Sequence, residues 1–216
     1  MLKITGADDV LSNDGLSEED KLLFSNARPR PYEPYPIKAI EDFANWARAN
    51  SLWILGFGTG CCSIELRPLM TSRFDASRFG VAGRPTPRQS SVFVIGGYVS
   101  VKTLKRIVRS YEQMQGPKFV IALGICPVNG GMYWDSYNTI KRLDNYIPVD
   151  GWISGCMPRP EAIFVAVTHL WTLIDKDMAD GYKRYRKNYA AYRANQEAVL
   201  GRLEWPPLFP SESVTG

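Results

Sequence analysis

The four cysteines are the residues of this 216-residue chain best suited to metal or redox chemistry. Cys61 and Cys62 are adjacent, whereas Cys126 and Cys156 each stand alone further along the chain. Structural zinc sites usually use cysteine pairs separated by about two to four residues, and this chain has no such pair. Adjacent thiolates reach one small ion poorly, because consecutive side chains diverge, but they can bind different irons of a cubane. The pattern therefore predicts one [4Fe–4S] cluster on these four cysteines, with a zinc-stabilised scaffold lacking a redox role as the alternative.

Short apolar segments alternate with helical patterns along the middle of the chain. The predicted strands are residues 52–56, 91–97, 118–124 and 149–154, and the predicted helices are residues 36–50, 101–114 and a segment from about 160. Continuous apolar strands between helices are typical of a parallel sheet that is covered on both faces. We therefore expect an α/β, flavodoxin-like fold with helices on both faces of a parallel sheet.

The predicted sheet brings the distant cysteines to one place. The pair Cys61 and Cys62 follows the first predicted strand, Cys126 ends the third, and Cys156 ends the fourth. In open α/β sheets the ligand lies beyond the carboxyl ends of the strands. Cysteines that are far apart in sequence can therefore share one ligand at that edge of the sheet.

Two extensions flank the predicted α/β domain of residues 37–176. We expect residues 1–36 to form an irregular N-terminal arm, because they contain four prolines between positions 29 and 36. We expect residues 177–216 to form a C-terminal helical extension and tail, with a charged helix over 177–203. A stripe runs along this helix, made of Tyr182, Tyr185, Tyr189 and Tyr192. We interpret the stripe as packing on this protein or on a neighbouring subunit, with a membrane-surface contact as the alternative.

The composition limits the partners and the location of the protein. The 26 basic and 22 acidic residues give a net charge of +4, which is too mild to predict nucleic acid as a partner. No apolar run reaches the length of about 18 residues that a membrane span requires, and residues 1–9 lack the apolar core of a signal peptide. We expect a protein peripheral to the membrane, on the cytoplasmic face of the cell membrane.

Several short motifs surround the cysteines in a fixed order. They are Gly60-Cys61-Cys62-Ser63-Ile64-Glu65, the segment 72–80, Pro87-Arg88-Gln89, Gly124-Ile125-Cys126, Pro148-Val149-Asp150 and Gly155-Cys156-Met157-Pro158. Over roughly residues 50–165 the chain resembles the 20 kDa iron–sulfur subunit of respiratory complex I, which carries the terminal cluster of that enzyme. The adjacent cysteine pair distinguishes this chain from the small subunits of nickel–iron hydrogenases, whose corresponding segment resembles a C-x-x-C pattern.

The resemblance implies an electron-transfer subunit of a membrane-bound, complex I-like oxidoreductase. Its one [4Fe–4S] cluster would pass electrons to a quinone-type acceptor. The implied partners are a larger catalytic-type subunit, a ferredoxin-like iron–sulfur subunit and membrane subunits of the same complex. Residues 66–70 and 127–132 differ from the pattern of quinone-reducing relatives. The same role in a complex that reduces sulfane or polysulfide sulfur, or that evolves hydrogen, is therefore the alternative.

Other charged and sulfur-containing residues follow the cysteine pair. Glu65, Arg67, Met70 and Asp75 are candidates for the acceptor site, and both acids have a structural salt bridge as the alternative role. Four arginines also follow the pair, namely Arg67, Arg73, Arg84 and Arg88. Guanidinium groups close to an anionic cluster would stabilise its reduced state, and structural ion pairs are the other interpretation of these arginines.

Overall fold

A five-stranded parallel sheet forms the centre of the computed structural model, which describes residues 38–84, 86–201 and 203. The strands are β1 (Leu52–Gly58), β2 (Val81–Gly83), β3 (Val92–Gly96), β4 (Phe119–Leu123) and β5 (Gly151–Ile153). Their order in the sheet is β2-β1-β3-β4-β5, and every neighbouring pair is parallel. This order is that of the flavodoxin-like fold, which confirms the predicted fold class.

Helices cover both faces of this sheet. They are α1 (Lys38–Ala49), α2 (Cys62–Leu66), α3 (Val101–Gln113), α4 (Cys126–Asn129), α5 (Pro160–Asp175), α6 (Gly181–Lys187) and α7 (Tyr189–Leu200). On one face α3, α6 and α7 pack on alternate strand residues such as Phe93 and Ile95. On the other face α1 and α5 pack on the intervening residues, such as Val92 and Val94. Every residue of β3 and β4 is consequently buried, which explains why their sequences are continuous apolar runs.

The edge strand β2 was not predicted from the sequence. Its three residues pair with the first half of β1, where Leu52 lies opposite Val81. A strand of three residues that includes Gly83 gives no periodic apolar signal, and only its pairing partner identifies it.

The C-terminal region forms two helices instead of the single helix predicted over 177–203. Helix α6 ends at Lys187 and α7 begins at Tyr189, so the break falls at Asn188. The tyrosine stripe survives the break, because Tyr182, Tyr185 and Tyr189 are all buried in the same core as α3. These tyrosines therefore pack on this chain.

Some of the predicted segments lie outside the described residues. The N-terminal arm of residues 1–36 and the tail of residues 204–216 are among them. Over residues 38–84, 86–201 and 203, no helix combines the length and apolarity needed to cross a membrane.

Candidate iron–sulfur site

The turns that follow β1, β3, β4 and β5 lie side by side at the carboxyl edge of the sheet, which we call the cysteine edge. Cys61 and Cys62 lie in the turn after β1, Cys126 begins α4 after β4, and Cys156 follows β5. Because β1, β3, β4 and β5 are successive neighbours in the sheet, the three cysteine-bearing turns converge. The structure thus brings together residues that are up to 95 positions apart, from 61 to 156.

Backbone hydrogen bonds tie these turns to one another. The Thr59 N–H donates to the Gly96 carbonyl at 2.9 Å, which joins the turns after β1 and β3. The Ile125 N–H donates to the Gly155 carbonyl at 3.1 Å, which joins the turn before Cys126 to the turn before Cys156. Backbone hydrogen bonds therefore hold the turn of the cysteine pair to the end of β3, and the turn before Cys126 to the turn before Cys156.

Two glycines make room for the cysteine sulfurs. Gly124 has a φ of +92°, and a Cβ at this position would lie 2.5 Å from the Cys62 Sγ. Gly131 has a φ of +55°, and a Cβ there would lie 2.7 Å from the Cys126 Sγ. Both backbone conformations and both close contacts require glycine. The cysteine edge is thus shaped around thiol groups.

The electrostatics of the thiols show that they share one environment. The pKa of Cys62 is raised to about 12, mainly by burial and also by negative charge on Cys61, Cys126 and Cys156. Burial also raises the pKa of Cys126; a backbone hydrogen bond involving Met132 opposes this, and the charges of Cys156 and Cys61 add to it. Collecting four thiolates here is unfavourable without positive metal ions, because metal binding must supply the free energy to deprotonate them.

The donor set fits an iron–sulfur cluster. All four cysteines are free thiols, with Cys62 and Cys126 buried and Cys61 and Cys156 exposed. In the described part of the chain, no three His, Cys, Asp or Glu side chains form a group that could hold a metal ion. A cubane has its irons at separate corners, so its four thiolates need not lie as close together as the ligands of a single ion.

The four acceptor-site candidates all lie in the connection between β1 and β2. Glu65 is in α2 and is partly buried, whereas Arg67 and Met70 are exposed in the 3-10 turn that follows α2. The buried Leu69 anchors this turn in the core. Asp75 lies further along and forms an ion pair of 3.0 Å with Arg78, which is the structural role that we gave as its alternative.

Two of the arginines lie away from the cysteines, contrary to the sequence interpretation. The Arg84 guanidinium stacks over the ring of Trp53, at 4.2 Å from its centroid, beside the amino-terminal half of β1. Arg88 precedes β3 and lines a cavity with Ser51 and Pro117 at the amino edge of the sheet. After Cys62 the chain returns to the amino edge of the sheet before it reaches either arginine. Proximity in sequence to Cys62 therefore did not indicate proximity in space.

The roles of several residues of the site were not predicted from the sequence. Gly97, Gly124 and Gly131 adopt positive φ angles at the cysteine edge, and Tyr98 packs beside Gly60. Their only signal was a glycine at or just beyond the end of a predicted strand or near a cysteine. The residue that packs against each glycine depends on the order of the strands in the sheet, and no single segment of the sequence predicts that order.

Comparisons with known proteins agree on one family. A family model described as "NADH ubiquinone oxidoreductase, 20 Kd subunit" matches residues 60–170. The chain is 41% identical over 164 residues to "NAD(P)H-quinone oxidoreductase subunit K, chloroplastic" of Pisum sativum, covering 76% of this chain and 72% of that protein. It is 44% identical over 155 residues to "NAD(P)H-quinone oxidoreductase subunit K 1" of Gloeobacter violaceus, covering 71% and 67% respectively.

A solved structure gives a further match. It is a chain in the "membrane-bound sulfane sulfur reductase (MBS), an archaeal respiratory membrane complex", with a TM-score of 0.72 and 56% identity. The match covers 75% of this chain and 92% of that chain. The family match includes all four cysteines. The chain belongs to the NADH ubiquinone oxidoreductase 20 kDa subunit family, as a complex I-like electron-transfer subunit of a multisubunit oxidoreductase.

Proposed function

We propose that this chain holds one [4Fe–4S] cluster on Cys61, Cys62, Cys126 and Cys156, and that it delivers electrons from this cluster to a quinone-type acceptor. The observation that carries the proposal is the convergence of three cysteine-bearing turns at one edge of a parallel sheet. When bound, the cluster would supply one-electron transfer at that edge. The chain's own residues supply the four thiolates and the glycine backbone that lets them approach.

The surface around the cysteines supports a partner subunit that covers them. Large apolar side chains near each cysteine are exposed, and they are Ile64 (64%), Ile125 (36%), Met132 (71%), Trp134 (64%) and Met157 (43%). A group of exposed apolar side chains beside a functional site is typical of a protein–protein interface. We assign this surface to the larger catalytic-type subunit, which would leave other surfaces for a ferredoxin-like iron–sulfur subunit and for membrane subunits.

The location follows from this assembly. The solved relative belongs to a membrane-bound complex, and we propose that this chain is likewise a peripheral part of a membrane complex, on its cytoplasmic face. Fractionation of cells that express a tagged chain would test this. The chain should sediment with membranes and remain accessible to protease only from the cytoplasmic side.

A sulfane sulfur compound is the second candidate acceptor. The observation that favours it is the 56% identity to a chain of the sulfane sulfur reductase complex. The exposed Arg67 and Met70 combine a positive charge with a soft apolar group, which suits an anionic polysulfide as well as a quinone headgroup.

A single-turnover experiment on the purified complex separates these candidates. The cluster would be reduced with dithionite, and the excess removed before mixing with a short-chain ubiquinone or menaquinone analogue or with polysulfide. The electron paramagnetic resonance signal of the reduced cluster should disappear rapidly with the native class of acceptor. A reduced signal that survives both acceptors would contradict electron delivery by this subunit, and zinc in place of iron would support the structural scaffold.

A further inference from the structure

Tyr98 and Tyr133 form an aromatic pair at the cysteine edge that none of the roles described above uses. Their ring centroids are 4.9 Å apart and the rings are inclined at 54°. Tyr98 lies in the turn after β3, the turn of the cysteine edge that bears no cysteine. Both rings are partly exposed, at 38% and 45%, so the pair lies at the surface of the site.

Tyr98 contacts the turn that carries Cys61. A Cβ on Gly60 would lie 3.4 Å from the Tyr98 Cδ1 and 3.6 Å from the Tyr98 backbone nitrogen. The preceding residue, Gly97, has a φ of +110°, and a Cβ there would lie 2.4 Å from the Gly60 nitrogen. The two turns are therefore pressed together, and the Tyr98 ring lies against the residue that precedes Cys61.

Tyr133 belongs to the turn that carries Cys126. Its N–H donates to the Gly130 carbonyl at 3.0 Å. In the same turn, a Cβ built on Gly131 would lie 2.7 Å from the Cys126 Sγ. The Tyr98–Tyr133 contact thus joins the Cys61 turn to the Cys126 turn through side chains, where the backbone hydrogen bonds join neighbouring strands only.

We propose that the Tyr98–Tyr133 pair positions the Cys61 and Cys126 turns relative to each other and limits water access to the cluster, so that it lowers the cluster's reduction potential. This inference rests on the proposed function, since it requires the cluster. Solvent exposure is one of the factors that set the potential of an iron–sulfur cluster. Water stabilises the more negatively charged reduced state, and aromatic side chains at the surface of the site reduce that stabilisation.

The test measures the midpoint potential by a redox titration monitored by electron paramagnetic resonance, in the intact complex. The variants are Tyr98→Ala, Tyr133→Ala, the double variant and Tyr98→Phe, which keeps the ring. Tyr137→Ala is the matched control, because Tyr137 is in the same segment and is fully exposed. Iron content per chain and the melting temperature are measured beside the potential.

We expect each single alanine variant to raise the midpoint potential by about 28 mV. At 59 mV per factor of ten for a one-electron couple, this shift is an about threefold higher ratio of reduced to oxidised cluster at the wild-type midpoint. The double variant should shift no further than the single variants, because either change removes the pair. Tyr98→Phe and Tyr137→Ala should keep the wild-type potential. Faster loss of iron in air should accompany the shift in the alanine variants.

Three results would overturn the inference. They are unchanged potentials in Tyr133→Ala, additive shifts in the double variant, or a shift in Tyr137→Ala as large as the others. Tyr133→Ala keeps the test decisive if Tyr98→Ala does not assemble, because Tyr133 is the more exposed of the two rings. A wild-type complex without the cluster signal would instead refute the proposed function, so the two failures are distinguishable.

Discussion

Gly124 lies so close to Cys62 that a Cβ on the glycine would be 2.5 Å from the cysteine sulfur. The two residues are 62 positions apart in sequence, in the turns after β4 and β1. This contact exists because β1 and β4 both flank β3 and run parallel to it. A backbone position beside Cys126 is thereby adapted to the sulfur of Cys62, which makes the cysteine edge a single site.

Replacement of Gly124 by alanine tests this contact. Gly124→Ala adds a methyl group that collides with the Cys62 Sγ at a φ of +92°, so we expect iron content per chain to fall several-fold. Gly201→Ala is the matched control, because Gly201 also has a positive φ of +73° but no atom lies within 4 Å of its Cβ position. Full iron content in Gly124→Ala would show that Cys62 does not bind the cluster in this position.

Much of the site could be predicted from the sequence, because long apolar runs and single cysteines are local signals. The runs of β3 and β4 identified a parallel sheet, and the parallel sheet required that Cys61 and Cys126 converge. Features that depend on contacts between distant segments could not be predicted from the sequence. Strand β2 is too short for a pattern, and the positions of Arg84 and Arg88 depend on which end of the sheet the connecting segment reaches.

The C-terminal helices show the same limit in another form. The tyrosine stripe was visible as spacings of 3, 4 and 3 residues, but the break at Asn188 was not, because it preserves the stripe. Whether the stripe met this chain, another subunit or a membrane was open in the sequence. In the structure the ring of Tyr185 lies 5.0 Å from the ring of Tyr111 on α3, so the stripe packs on this chain.

Truncation of Tyr185 tests whether these helices are part of the core. The Tyr185 side chain is fully buried against the rings of Tyr111, Tyr189 and Tyr192. Tyr185→Ala should lower the free energy of unfolding by about 3–5 kcal/mol, as for other large buried aromatics. Lys187→Ala, at an exposed position of the same helix, should change it by less than about 0.5 kcal/mol. Equal effects in urea denaturation would place Tyr185 outside the cooperative core.

Asp150 makes stability depend on pH. Its carboxylate accepts hydrogen bonds from the Val120 N–H at 2.8 Å and the Gly181 N–H at 2.9 Å. Burial nevertheless raises the pKa of Asp150 from 3.8 to about 6. Because the folded-state pKa is the higher one, the stabilisation is complete below pH 3.8 and is lost as the pH rises through 6. We expect the free energy of unfolding to fall by up to about 3 kcal/mol over that interval.

The variant Asp150→Asn identifies the group responsible. An amide has one acceptor oxygen and an NH2 group that only donates, whereas both oxygens of the carboxyl group accept, so one of the two backbone N–H groups loses its partner. The variant should be less stable than the wild type at pH 5 by about 1–3 kcal/mol, and its stability should lack the fall between pH 3.8 and about 6. A fall of the wild-type size in the variant would assign the titration to another residue.

The exposed turn after α2 is the segment that we place at the acceptor. Arg67→Ala and Met70→Ala should each slow reduction of the native acceptor several-fold while the cluster signal stays unchanged. Met178→Ala is the control for Met70, since Met178 is an exposed methionine between α5 and α6. Normal turnover in both variants would exclude this turn from the acceptor site, and loss of the cluster would show that the turn is structural.

The most direct measurement of the central claim is the iron and sulfide content of the purified chain, together with the electron paramagnetic resonance spectrum of its reduced form. The wild type should contain about four irons and four sulfides per chain. Cys126→Ser and Cys156→Ser should each lose the cluster or distort its spectrum, because these cysteines come from turns other than that of the Cys61–Cys62 pair. A wild type without iron, or an unchanged spectrum in both serine variants, would contradict a single cluster on these four cysteines.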